Sequence, residues 1–182
     1  MAVTGVKLKK NNQAKPTVAQ RTPSRFEVVT ETLAGYAERG VFRGFSQTAT
    51  PRQTNTAYKI LWHHNRVFEL VFDATKNILR FTVLLPNMPA DSEMYADLKR
   101  FVSSRHAEEV LEHRRIDATK AQAQVTNRNA QVSLAVKIKD GDDEYAVRKL
   151  LHLAHEIFLT FLTDGRYFEY LVENFDLDPD HI

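Results

Sequence analysis

The strongest constraint in this chain is the stretch from Thr56 to Leu85, where three apolar runs alternate with polar residues and are separated by two short polar breaks. Tyr58, Ile60 and Trp62, then Phe68, Leu70 and Phe72, then Leu79, Phe81, Val83 and Leu85 recur every second residue. That period of two sends alternate side chains to opposite faces of a strand. The breaks at His64-Asn65 and at Ala74 to Asn77 are short enough for hairpins, so the stretch predicts a three-stranded antiparallel meander.

The flanking segments predict the cover for that meander. Ser24 with Glu27 three residues on makes a capping box, and Phe26, Val29, Leu33, Tyr36 and Ala37 fall on one stripe of a helix over 25–39 that Gly40 stops. Val41, Phe42 and Phe45 form a candidate extra edge strand, and the polar run 47–55 with Pro51 reads as a loop. After Pro86 and Pro89, Asp91 or Ser92 caps a helix carrying Leu98, Phe101 and Val102, with helical spacing continuing through Ala107, Val110 and Leu111 to about Arg114. Ala121, Ala123 and Val125, then Ala130, Val132, Leu134, Val136 and Ile138, alternate as a second hairpin with one wet face. Asp140 to Glu144 precede a long helix, where the helix dipole favours acids, and Tyr167 to Phe175 form a last short helix beyond Asp164-Gly165. The fold class is α+β, an antiparallel sheet of meander plus hairpin packed with an N-terminal, a middle and a long C-terminal helix. The expected organisation is a disordered basic tail over 1–23 and a single domain over 24–182.

Composition narrows the function classes. The absence of cysteine excludes disulfides, thiolate nucleophiles and cysteine-ligated zinc. No apolar run reaches the roughly 20 residues of a membrane helix, and the N-terminus lacks a signal-peptide stretch, so a cytoplasmic location is expected. The net charge of +2 hides an asymmetry: Lys7, Lys9, Lys10, Lys15, Arg21 and Arg25 stand at the N-terminus without an acid, and the remainder holds 19 basic against 23 acidic groups. A folded body that is itself acidic offers no obvious basic face for nucleic acid, which leaves the arm as the means of such binding.

Candidate chemistry is sparse. His152, His155 and Glu156 have helical ligand spacing but no third histidine is placed by sequence, and they read as surface residues. His63-His64 falls at a hairpin tip. Arg43-Gly44-Phe45 opens like an aromatic RNA-binding motif, with Phe68, Phe72 and Phe81 as imaginable stacking platforms, but Ser46 and Gln47 break the pattern. Asp142 to Glu144 is accounted for as a helix start. No glycine-rich phosphate loop and no GxSxG elbow occurs, and neither a metal nor a cofactor is expected.

The order helix, strands, helix, hairpin, long helix resembles the YbjN-like group, whose fold is that of the type III secretion chaperones. The likeness rests on the meander with Trp62 and Arg66-Val67-Phe68-Glu69-Leu70, the exit Leu84-Leu85-Pro86, and the strand 131–138 feeding the helix 145–162. It implies a non-enzymatic protein-binding module, a homodimer that holds a segment of another protein. Leu151, Leu159 and Leu162 widen the apolar arc of the long helix and are the expected dimer interface, with residues 166–175 as their alternative cover. Two other readings stand beside it. A nucleic-acid module would use the basic arm, and a small-ligand carrier would use a pocket between sheet and long helix lined by Trp62, Phe68 and Phe81, with His113 or Arg115 at its mouth.

Overall fold

The computed structural model describes residues 21–48 and 54–175; residues 1–20 of the expected tail (1–23), the middle of the predicted loop (49–53) and the acidic end (176–182) lie outside these. Six antiparallel strands form one open sheet in the order β1-β2-β3-β4-β6-β5: β1 (Gly44–Thr48), β2 (Asn55–Leu61), β3 (Val67–Asp73), β4 (Ile78–Leu85), β5 (Ala121–Arg128) and β6 (Gln131–Ile138). The predicted meander is β2-β3-β4 and the predicted hairpin is β5-β6, joined edge to edge through β4 and β6. The extra strand is real but starts later than Val41, at Gly44, and takes in Gln47 and Thr48 from the predicted loop.

Register turns the sequence alternation into a core. Tyr58, Leu70, Phe81 and Leu134 stand side by side across β2, β3, β4 and β6, and Thr56, Phe72, Leu79 and Val136 form the next row; all are buried. A register shift between Phe81 and Leu85 lets consecutive Leu84 and Leu85 both be buried, which strict alternation forbids. The other face carries exposed Lys59, Glu69, Arg80 and Lys137, with Val67 63% exposed.

Helices α1 (Arg25–Glu38), α2 (Glu93–Ser104), α3 (Asp143–Glu156) and α4 (Phe168–Phe175) supply the second layer. α1 starts at the predicted capping box: Ser24 Oγ accepts from the Glu27 amide and Glu27 accepts from the Ser24 amide. Arg25 then ties α1 to α3. Its Nε and Nη2 donate to the two carboxylate oxygens of buried Asp143 at 2.8 and 2.6 Å, while Nη1 reaches the Ala74 carbonyl and the Asn77 side chain. Phe101 of α2 meets Phe161 just beyond α3, placing α2 in the same layer.

Three expectations need correction. Helical spacing beyond Ser104 does not produce a helix: residues 105–120 form a chain of turns held at both ends, with the Ile116 amide donating to the Arg105 carbonyl at 2.8 Å. Ala130 is not a strand residue. It shares the β5–β6 turn with Asn129, both at positive φ, the twist that a tight hairpin requires. Finally, α3 does not run unbroken to Leu162. Residues Ile157–Phe161 form a π turn, marked by the Leu162 amide donating to the Ile157 carbonyl at 2.9 Å.

Candidate functional site

The α3 helix begins on a turn in which Gly141 takes a positive φ and Asp142 caps the Tyr145 amide at 2.9 Å. From that start Tyr145, Arg148, Lys149 and His152, spaced i, i+3, i+4 and i+7, share one face. The chain of turns 105–120 runs opposite and contributes Glu112, His113, Arg115, Asp117 and Lys120. A cavity of about 670 Å³ lies between the two walls. A second of about 550 Å³ adjoins it, sharing Arg115 and Asp117 and also lined by His106, Glu108, Ile116 and Ala118.

The first cavity concentrates positive charge on an otherwise acidic body. Lys149 is 8% exposed, and among the described residues its ammonium donates only to the backbone carbonyls of Glu112 and His113, at 3.3 and 3.0 Å. Burial holds its pKa below the ordinary lysine value, Arg148 and Arg115 push the same way, and Glu112 and Glu156 oppose them. Arg115 donates to the Glu108 carbonyl at 3.2 Å, and Arg148 is exposed with no hydrogen bond or ion pair among the described residues. Lys120 is the cation with a carboxylate, Asp142 at 3.4 Å. Lys120 and Lys149 both sit over the Tyr145 ring, 5.1 and 5.4 Å from its centre. The Tyr145 hydroxyl accepts from the Asp117 amide at 2.8 Å. Of the two acids in the lining, Asp117 is engaged locally: its carboxylate accepts from the amide and hydroxyl of Thr119, which holds its pKa below the usual range.

The apolar residues of the sequence-predicted pocket line neither cavity. Trp62, Phe68 and Phe81 are 8%, 4% and 0% exposed and pack on one another, and Phe158 of the π turn meets Phe68 edge-on at 5.7 Å. They are core. His113 and Arg115, expected at that pocket's mouth, line the cationic cleft instead. Phe72 is buried too, so Phe68, Phe72 and Phe81 offer no stacking platform for bases.

The leucines divide. Leu151 and Leu162 are 1% and 0% exposed within the chain's own core, so neither is free to meet a second copy; Leu159 is 56% exposed. The π turn explains the split, because widening the turn by one residue carries Leu162 inward and leaves Leu159 outside. Of the alternative cover, residues 166–175, Phe175 meets Phe158 at 5.2 Å and Tyr167 meets Phe161 at 5.0 Å, while Leu159 stays exposed.

His152, His155 and Glu156 diverge. His152 reaches the Tyr36 hydroxyl at 3.5 Å, Glu156 pairs with Arg105 and Arg114, and His155 meets His63 at 3.3 Å. Among the described residues no three metal-binding side chains are grouped. His63 stacks on Phe158 at 4.3 Å; burial, with His155 and His64 nearby, lowers its pKa to about 3. Among the described residues no helix is long and apolar enough to cross a membrane.

The cleft itself was missed by sequence reasoning. Its available signal was the spacing of Tyr145, Arg148, Lys149 and His152 on the helix face away from the apolar stripe. Searches against family models, curated proteins and solved structures find no match for the chain.

Proposed function

We propose that the protein is a non-catalytic binding module whose working surface is the cleft between α3 and residues 105–120, and that it takes an anionic group there. One observation carries this reading: Arg115, Arg148 and Lys149 line a single cavity without a carboxylate partner among the described residues, and the last of them is buried. The Lys149 ammonium, which lies over the Tyr145 ring and whose hydrogen bonds among the described residues go to two carbonyls, has no paired carboxylate to offset its desolvation, and a bound anion would supply that offset. The test is amide NMR of the full chain titrated with sodium sulfate against sodium chloride at matched ionic strength. Shifts confined to residues 112–120 and 145–152 are expected. Shifts scattered over the surface, or absent, would sink the reading.

A second reading, the chaperone-like homodimer that binds a segment of another protein, is favoured by exposed Leu159 and by Val67 on the uncovered sheet face. Light scattering is expected to give a mass near twice that of the chain, with Leu159→Asp falling to a folded monomer. A wild-type monomer would dispose of it.

A further inference from the structure

Resting on the proposed anion site, we infer that the cleft is built for a small phosphate monoester whose organic part is uncharged, with the phosphate at Lys149, Arg115 and Arg148 and the organic part in the adjoining cavity.

Two features of the first cavity favour phosphate. Arginine guanidinium groups present donors in a planar fork that matches the oxygens of a phosphate or carboxylate. Here two such groups, on opposite walls, line the same cavity as the buried Lys149, so an anion entering it meets three cationic side chains that have no carboxylate partner among the described residues. A phosphate monoester carries about −1.5 to −2 charge at neutral pH. With Lys120 paired to Asp142, Arg115, Arg148 and Lys149 outnumber Glu112 and Asp117, so the lining carries an excess of positive charge that attracts such an anion.

The second cavity selects the group attached to the phosphate. Among the described residues Arg115, at the junction, is its one Lys or Arg, and Glu108 and Asp117 also line it. Its histidine adds no charge. His106 Nε2 accepts from the Ala123 amide at 3.2 Å, which places the ring proton on Nδ1, where it donates to the Ile116 carbonyl at 2.9 Å. Among the described residues, a second anionic group there would therefore meet two acidic residues and no further cation. This argues against a polynucleotide or polyphosphate threading both cavities, and for a neutral body resting on Ile116 and Ala118. Each cavity lies within the range of about 300 to 1,000 Å³ typical of small-molecule sites.

The experiment is calorimetric titration of the full chain with phenyl phosphate and α-glycerophosphate, against inorganic phosphate, phenol, glycerol and succinate at one ionic strength. Expected is at least one monoester binding tenfold or more tighter than inorganic phosphate, phenol and glycerol not binding, and a loss of tenfold or more in both Lys149→Met and Arg148→Glu. Arg148 is exposed, so its variant keeps the test meaningful if Lys149→Met does not fold. Monoesters no tighter than inorganic phosphate would overturn the two-cavity assignment. Succinate binding that Arg148→Glu abolishes, with no phosphate binding, would overturn the phosphate assignment while leaving the anion site standing. No binding by any of the anions would overturn both.

Discussion

Arg25 shows how much one side chain can carry at the residue scale. By count it belongs to the basic N-terminal arm, yet in the fold it satisfies both oxygens of Asp143, which is 4% exposed, and lies over the Phe72 ring at 5.2 Å. Removing one member of a buried ion pair strands the other, typically at about 3 to 5 kcal/mol. Arg25 is itself part-exposed, which places Arg25→Ala at the lower end, near ~3 kcal/mol, by urea denaturation. Arg25→Lys is expected to recover less than half, because an ammonium cannot span both carboxylate oxygens and also reach Asn77 and the Ala74 carbonyl. A loss below about 1 kcal/mol for Arg25→Ala would mean that water replaces the pair and that α1 is held by its apolar stripe alone.

At the scale of elements, the strands and the starts of α1, α2 and α3 were legible in the sequence, and the C-terminal ends of α2 and α3 were not. Period-two alternation survives folding because each strand has one dry face, so the rows through Tyr58 and Phe72 could be read from the chain. The extension of α2 failed for the opposite reason. Ala107, Val110 and Leu111 have helical spacing, but Leu111 is 63% exposed and no apolar face is buried there to hold a helix. The π turn was invisible because a fixed angle per residue assigns Leu159 and Leu162 to one arc, whereas the wider turn separates them. This makes a paired prediction. Leu162→Ala removes a fully buried side chain and is expected to cost about 2 to 5 kcal/mol, against less than ~0.5 kcal/mol for Leu159→Ala. Equal losses measured by denaturation would mean that α3 continues regularly through residue 161. The cleft lay beyond sequence reasoning for a related reason: α3 supplies half of it by regular spacing, but the other half comes from turns whose path depends on tertiary contacts such as Arg105 and Arg114 to Glu156.

For the whole molecule, α3 joins two differently charged regions, the cationic cleft along its first half and an imidazole–aromatic cluster at its end, and both penalise added protons. His63 has its pKa lowered to about 3, by burial first and then by His155 and His64. His64 is lowered by burial and Arg66, and His152, at the rim of the cleft, by burial and then Lys149 and Arg148. Each imidazole therefore stays neutral in the folded chain at a pH where the unfolded chain, titrating near 6.5, has taken its proton. Because the unfolded state binds more protons below that point, stability falls as pH drops from about 6.5, before most carboxylates titrate. One such proton contributes a slope of about 1.4 kcal/mol per pH unit, so His63 alone accounts for about 2 kcal/mol lost by pH 5. Urea unfolding between pH 7.5 and about 5 is expected to show this limb, and His63→Phe, which keeps a ring against Phe158 but cannot titrate, is expected to shed most of one proton from its slope. An unchanged slope in that variant would place the proton uptake elsewhere and remove His63 as the acid-sensitive point of the fold. A flat wild-type profile would mean that folded and unfolded chains take up protons alike over this range, and that burial beside Phe158 does not penalise the imidazoles.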